Sequence, residues 1–277
     1  MSDYVARLTV FQRIQHIAVF LTFFLLVVTG MPLKYPQAWW SIEIVKLLGG
    51  LANRALLHRI AGVGIIVVGL VHIFYYLIID RAPLLRRPIM FTPKDIFDML
   101  RSIGYAFRLT NEPPRMGRYT WGEKMEYWSV AWGTSLIAAT GLVMWFKEIA
   151  LQYITLPIFQ LFWMLHSYEA LLATLTVFFG HFYTVHYSPR FFPGSLIFLH
   201  GRMEMEEMEE MHPLELEEIE REKPELIEHK MPMRRIQGFV YALNRRIWAL
   251  GIVVFLIFIA MTVIAFVDLF KYWFIGV

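Results

Sequence analysis

The stretch LLHRIAGVGIIVVGLVHIF, residues 56–74, places His58 and His72 fourteen residues apart in a mostly apolar run. A second apolar run carries His166 and His181, which are fifteen residues apart. At ~1.5 Å rise per residue, each pair spans roughly 21–23 Å, most of a bilayer core, and shares one helix face. Imidazole is costly in lipid and normally faces a bundle interior. The pattern therefore predicts two facing membrane helices that offer imidazoles at two depths.

The composition indicates an integral membrane protein. Of the 277 residues, 57% are hydrophobic and 16% aromatic, more apolar surface than a soluble domain of this length could bury. The first apolar stretch follows Arg7 and Arg13 without a small-residue cleavage site, so we expect a retained helix. The absence of cysteine excludes disulfides, iron–sulfur ligation by this chain and covalent c-type haem. The net charge of +3 is small, and no nucleic-acid partner is expected.

We predict an all-α fold, with a four-helix membrane bundle and a fifth, C-terminal membrane helix. The predicted domains are a four-span core over 1–200, an acidic cytoplasmic linker over 201–240 and the additional helix over 241–277. Segment 32–55, with Trp39 and Trp40, is expected to lie at the membrane interface. The five predicted spans are about Thr9–Met31, Leu56–Ile79, Tyr127–Phe146, Leu161–Tyr187 and Ile247–Phe270.

Charge predicts how the chain is oriented. The loop 81–124 carries nine Lys or Arg residues, and the positive-inside rule places such a loop in the cytoplasm. The N-terminus is then cytoplasmic as well, and the protein is multi-pass. His58 and His166 would lie near the outer surface. The histidines expected toward the inner half are His16, His72, His181 and His186.

The segment 202–230 holds twelve of the 23 acidic residues. Two interpretations remain open: a solvated linker between spans, or a docking surface for a basic partner. Three further histidines in or beside this segment, His200, His212 and His229, are expected to be surface residues.

Six histidines within apolar helices favour haem binding over other roles. Low-spin haem b needs two neutral imidazoles on facing helices, apolar surroundings and cations near its propionates. Arg13, Arg54 and Arg59 could contact the propionates, or could equally be interfacial anchors. Zinc or copper would require more closely clustered ligands. The six candidate iron ligands are His16, His58, His72, His166, His181 and His186.

Several short motifs together resemble one family. The motifs are Arg13-Ile-Gln-His16, Thr29-Gly30-Met31-Pro32, Leu57-His58-Arg59, the loop Arg118-Tyr119-Thr120-Trp121-Gly122-Glu123-Lys124, and the fourth-span pair His166 and His181. Over roughly residues 5–195, the chain resembles the haem-b gamma subunits of membrane formate dehydrogenases. The cytochrome b subunits of nickel–iron hydrogenases and thiosulfate reductases belong to the same group. The resemblance implies a bacterial or archaeal cytoplasmic membrane protein with non-covalent haem b.

The resemblance also implies a ligand set. In that family the outer haem would be bound by His58 and His166, and the inner haem by His16 and His181. A quinone site would lie beside the inner haem, near Thr120, Gly122 and Lys124.

This chain departs from the family pattern on the inner side. The spacing in span four is fifteen residues where the family has fourteen, and His72 and His186 are additional. Three arrangements stay open: two haems with inner ligands His16 and His181, two haems with His72 and His181, or three haems that also use His16 and His186.

The expected function is an electron-transfer subunit of a multi-subunit respiratory oxidoreductase, with substrate chemistry on a partner. It would carry electrons between membrane quinone at the inner side and an outer-face redox subunit, an iron–sulfur protein or a multihaem c-type cytochrome. Two alternatives are a proton or metal transporter that uses intramembrane histidines, and a purely structural membrane anchor.

Overall fold

The computed structural model describes residues 3–188, 191 and 194–228. The predicted fifth span and His229 lie outside these residues. The described chain forms two compact units, and each is presented by itself. The first contains 3–19, 65–142 and 196–228, and the second contains 20–64 and the described part of 143–195.

Long helices cover the four predicted spans within the described residues. Among the described residues, three helical stretches are long and apolar enough to cross a membrane: Val10–Lys34, Leu51–Ile79 and Leu156–His186. Helix α5 is not one of these three, although its 25 residues cover the predicted third span. The long helices are α1 (Val10–Lys34), α3 (Leu51–Phe74), α5 (Trp121–Trp145) and α7 (Leu156–Leu175).

Two of these helices continue as wider π-helical turns. Helix α3 ends in a π segment over Tyr75–Ile79, and α7 continues through π segments over Thr176–His181 and Tyr183–Tyr187. A π turn holds about one residue more than an α turn, and such insertions often occur at functional sites. His181 closes the first π segment of the fourth span.

Short elements connect the long helices. The short helices are α2 (Trp39–Leu47), α4 (Pro93–Ala106), α6 (Lys147–Ala150), α8 (Ile197–His200), α9 (Met205–Met211) and α10 (Pro213–Glu222), with 3₁₀ turns at Leu84–Arg86 and Pro224–Leu226. The strands are β1 (Tyr4–Ala6), β2 (Arg202–Glu204) and β3 (Ile227–Glu228). Helix α4 begins with a reciprocal capping box between Thr92 and Asp95 and has Pro93 in its first turn, which defines its start.

Strands β1–β3 with α9 and α10 form a folded cap in the first unit. The strand order is β2-β1-β3, both pairs are antiparallel, and Val5 lies opposite Met203 and Ile227. Val5 and Met208 are fully buried in an apolar cluster, which Leu216 also joins. The small sheet is an addition to the all-α fold that the sequence predicts.

The acidic segment is therefore not a wholly solvated linker. Glu215 is only 5% exposed and pairs with Arg7 at 3.0 Å and with Arg118. Burial lowers the pKa of Arg118, but the charges of Glu215 and Tyr119 and its hydrogen bonds with both side chains together raise it by more, so the net shift is upward. The acidic side chain of Glu217 on the same helix is exposed and pairs with Arg115.

A second apolar cluster lies where α1 ends and α2 begins. Trp40 packs against Val27 and Met31 and is buried, while its neighbour Trp39 is exposed. Pro32 in the last turn of α1 has no N–H to donate to the carbonyl four residues earlier, so it weakens the helix shortly before it ends at Lys34. Within the segment predicted to be interfacial, the chain thus forms one short helix with an anchored and an exposed tryptophan.

Candidate haem-binding site

His58 on α3 and His166 on α7 lie opposite each other in the second unit. Their ring centroids are 6.4 Å apart, and the ring planes are inclined by 68°. Two imidazoles that bind one iron from opposite sides have nitrogens about 4 Å apart and ring centres about 6 Å apart. The separation therefore fits a bis-histidine haem iron.

Thr29 on α1 sets the tautomer of His58. The Thr29 hydroxyl donates its proton to the Leu25 carbonyl, at 2.6 Å, and lies 2.8 Å from His58 Nδ1. Because that proton is committed, the hydroxyl oxygen accepts from a protonated Nδ1. His58 Nε2 then carries the lone pair that a metal requires, an arrangement typical of metal-ligating histidine.

Gly30 leaves room for this ring. A Cβ at Gly30 would lie 3.2 Å from His58 Cε1, closer than ordinary van der Waals contact. The Thr29-Gly30 motif therefore contributes two features to the site: the Thr29 hydroxyl accepts from His58 Nδ1, and the missing side chain of Gly30 leaves room for the His58 ring.

The three candidate propionate partners have different surroundings. Arg54 is buried and donates to the Thr29 carbonyl at 2.9 Å, next to the histidine pair. Arg59 is exposed, with its guanidinium 5.3 Å from the Trp145 ring centroid. Arg13 belongs to the first unit and donates to the Leu199 carbonyl at 2.5 Å. Arg54 is thus in hydrogen-bonded contact with Thr29, the residue whose hydroxyl lies against His58.

The predicted inner histidines fall in both units. In the first unit, the ring centroid of His16 lies 5.5 Å from that of Phe198. In the second unit, the ring centroid of Phe182 lies 6.3 Å from that of His181 and 5.9 Å from that of His186. The structure thus brings His58 and His166 together. Of the four predicted inner histidines, His16 and His72 belong to the first unit and His181 and His186 to the second.

His72 in the first unit makes hydrogen bonds through both ring nitrogens. Its Nδ1 lies 3.2 Å from Gln15 Oε1, and its Nε2 lies 2.8 Å from the Tyr127 hydroxyl. An imidazole that binds iron must present one nitrogen lone pair to the metal. His72 would have to give up one of these hydrogen bonds to do so.

Comparison with known proteins identifies the family. The family model described as prokaryotic cytochrome b561 matches residues 7–197, well over half of the chain. This chain belongs to the prokaryotic cytochrome b561 family. The chain is also 25% identical over 181 residues to the formate dehydrogenase cytochrome b556(fdo) subunit of Escherichia coli K12, covering 65% of this chain and 78% of that protein. The same subunit from E. coli O157:H7 matches equally.

A b-type haem is the cofactor that membership of the cytochrome b561 family implies. In the part of the chain that the structure describes, no three or more His, Cys, Asp or Glu side chains form a group suited to a metal ion. The bis-histidine arrangement of His58 and His166 needs only two protein ligands, because the porphyrin supplies the other four. The residues present therefore fit haem.

The candidate quinone residues of this cytochrome have structural contacts at the start of α5. Thr120 and Glu123 cap the helix reciprocally, with bonds of 2.7 and 3.1 Å. The buried Lys124 ammonium lies 2.8 Å from Asp95 and donates to the Met90 carbonyl at 3.1 Å. Burial raises the pKa of Asp95, but hydrogen bonds from Lys124 and Thr92 lower it by more, so the carboxyl stays ionised. Lys124 thus joins α4 to α5.

His212 is buried, so the prediction from the sequence that it lies at the surface is wrong. The side chain is fully buried in the cap, and its Nδ1 lies 2.8 Å from the Gly117 carbonyl. Burial, followed by the nearby Arg7 charge, lowers the pKa of His212. The neighbouring Pro213, which begins α10, was the available sign that the chain turns here into a packed helix.

Proposed function

We propose that this cytochrome b561-family protein is the haem-carrying membrane subunit of a formate-dehydrogenase-type oxidoreductase complex. It would carry electrons between quinone at the inner face and a redox subunit at the outer face. The single observation that best supports this proposal is the His58–His166 pair, at the separation expected for bis-histidine ligation. The similarity to a formate dehydrogenase cytochrome subunit favours a complex in which partner subunits perform the substrate chemistry.

The residues around the outer pair would bind and orient the cofactor. His58 and His166 would hold the haem iron through their ring nitrogens, and Thr29 would keep His58 in the Nδ1-protonated form. The buried Arg54 guanidinium would lie near the propionates and hold the backbone beside Thr29. When bound, a b-type haem supplies reversible one-electron chemistry at its iron.

For the inner haem we propose His16 and His181 as ligands, as the resemblance implies. The two hydrogen bonds of His72 favour a role in holding Gln15 and Tyr127 over a role as a ligand. A third haem that uses His186 is the alternative that a haem count can distinguish.

For quinone we propose a site at the start of α5, near Thr120 and Gly122. Lys124 would act there mainly by positioning, because its ammonium is already paired with Asp95. Outer-face delivery of electrons together with inner-face quinone chemistry would couple electron flow to charge movement across the membrane.

The experiment that tests this function is a pyridine haemochrome assay on the purified full chain. We expect about two haems b per polypeptide, one fewer in His58→Ala and in His166→Ala, and no loss in His72→Gln. Reduced spectra of membranes with added quinol analogue then test electron exchange. A colourless protein would contradict the proposal and favour a transporter or an anchor, while a count of three would overturn the two-haem ligand set.

A further inference from the structure

Helix α4 carries an exposed apolar stripe that nothing in the electron-transfer function uses. Five large apolar side chains, each 46–73% exposed, lie on one side of this helix: Ile96, Phe97, Leu100, Ile103 and Phe107, the last one residue beyond its end. Their spacing of one, three and four residues gathers them into an arc about 120° wide. An arc of this width is typical of a helix that packs against an apolar surface.

The opposite side of α4 is fixed to the first turn of α5. Asp95 pairs with the buried Lys124, and Ser102 accepts a hydrogen bond from the Trp121 indole at 2.9 Å. The preceding loop is held in the same way, since the Trp128 indole donates to the Ile89 carbonyl at 3.0 Å. The stripe therefore turns away from α5, and the polar contacts fix this orientation.

These anchors also determine the depth of α4 relative to the bilayer. Indole side chains favour the membrane–water interface, and the two tryptophans that bind α4 and its loop occupy the first two turns of α5. The apolar part of α5 follows directly after them. If α5 crosses the bilayer as the sequence predicts, α4 lies at the level of the lipid headgroups, next to the first turns of α5.

Cations border the stripe. Lys94 and Arg101 are about half exposed and lie along one edge of α4, where they pair with Asp98 and Glu112, and Arg108 follows directly after the helix. On a helical wheel the Lys94 and Arg101 positions fall about 100–120° from the centre of the apolar arc. An apolar face flanked by Lys and Arg is the pattern of helices that lie in the plane of an anionic lipid surface.

We propose that α4 is a membrane-surface anchor whose partner is anionic phospholipid. The stripe inserts at the boundary between headgroups and acyl chains in the leaflet where α5 begins. Lys94, Arg101 and Arg108 contact the lipid phosphates. Because Lys124 and Trp121 link α4 to α5, lipid binding by α4 holds the start of α5 and its capping residues in place.

A labelling experiment on the full chain tests the proposal. The chain has no cysteine, so one introduced thiol can be labelled uniquely with bimane. The test positions are Phe97→Cys and Leu100→Cys within the stripe, and the matched control is Tyr105→Cys, an exposed aromatic on the same helix about 140° from the centre of the arc. In nanodiscs with brominated acyl chains, we expect strong quenching at 97 and 100 and little at 105, where iodide quenches instead.

The lipid headgroup forms a second arm of the test. Quenching at 97 and 100 should be stronger in discs with anionic phosphatidylglycerol than in purely zwitterionic discs, and Arg101→Gln should reduce this difference. Labels at both stripe positions that iodide reaches freely would overturn the proposal. Labels shielded from lipid and iodide alike would also overturn it, since a protein surface, residues 247–270 or a partner subunit would then cover the stripe.

Discussion

At the scale of single residues, Thr29 has the sharpest predicted effect on the haem site. Thr29→Val keeps the shape of the side chain but removes the acceptor for His58 Nδ1. Loss of such a partner to a ligating histidine weakens metal binding by about 10–100-fold. We expect a lower haem content or a shifted midpoint potential for one haem, measured by redox titration of the absorption spectrum.

Two variants control for packing at Thr29. Thr29→Ser keeps the hydroxyl and should retain a spectrum close to that of the native protein. Thr174 is equally buried and makes the same type of bond, to the Ala170 carbonyl at 2.7 Å, so Thr174→Val removes a comparable hydroxyl on α7. Equal effects from Thr29→Val and Thr174→Val would contradict a specific role for Thr29.

Gly30→Ala tests the space beside the same ring. The added methyl would lie 3.2 Å from His58 Cε1, so the ring must shift by a few tenths of an ångström. Close-packed interiors accommodate such insertions poorly, and we expect reduced occupancy of the outer haem without loss of the fold. Gly69→Ala, where a Cβ would meet no atom within 4 Å, is the control in a haem count. An unchanged count and spectrum in Gly30→Ala would show that the ring does not depend on this space.

The sequence predicts His58 and His166 as a ligand pair because helix period and span length put them on inward faces at matching depth, and the structure places their ring centroids 6.4 Å apart. It did not predict that Thr29 would set the His58 tautomer. The Thr-Gly motif was visible, but a contact between residues 29 positions apart depends on how two helices pack. The burial of His212 was not predicted for the same reason: it depends on the packing of a small cap that has no long periodic element.

At the scale of elements, the π segment over Thr176–His181 explains an unusual spacing. The pair His166–His181 has one residue more than the resemblance implies, and a π turn accommodates about one extra residue. The wider turn would therefore return His181 to the face that fourteen α-helical residues would give it. The spacing of fifteen residues can be read from the sequence, whereas the position of the π segment that accommodates the extra residue cannot.

Deleting Phe179 tests this explanation. The deletion removes an exposed side chain within the π segment and restores a spacing of fourteen residues. We expect an α-helical turn in its place and full retention of both haems in the haemochrome assay. Phe179→Ala controls for loss of the ring, and selective loss of the inner haem in the deletion alone would contradict the idea that the π turn absorbs one residue.

The four predicted spans agree with the long helices to within a few residues at most ends, since apolar runs of this length carry a strong signal. The strands of the cap have only two or three residues each, too few for any alternation to appear. The capping sequence Thr92-Pro93-Lys94-Asp95 marks the start of α4. The helix was nevertheless not predicted, because loop 81–124 was interpreted only by its positive charge.

Two glutamates on α10 should differ greatly in their contribution to the cap. Glu215→Gln leaves the buried Arg7 and the partly buried Arg118 without their carboxylate, a change that typically costs about 3–5 kcal/mol. Glu217→Gln removes an exposed pair with Arg115, which contributes about 0–1 kcal/mol. Hydrogen exchange of the β1 amides measures the opening of the cap, and similar rates in the two variants would contradict a stabilising role for Glu215.

At the scale of the whole molecule, orientation determines which redox partners can reach each haem site. The loop 81–124 holds nine Lys or Arg residues. Because loops rich in Lys and Arg tend to stay in the cytoplasm, this loop is expected on the cytoplasmic side. The predicted orientation would place α2 outside and α10 inside, and it would assign the His58–His166 pair to the outer leaflet. The opposite orientation would require quinone and the redox partner to exchange sides.

Single thiols in this cysteine-free chain can decide the orientation. Glu43→Cys on α2 and Glu217→Cys on α10 replace side chains that are each more than half exposed. A membrane-impermeant maleimide should label position 43 in intact cells and position 217 only in inverted vesicles, because the rule places loop 81–124 and the cap inside. Labelling of both positions from the same side would contradict a membrane crossing by α1, and the reverse pattern would move the His58–His166 site to the cytoplasmic leaflet.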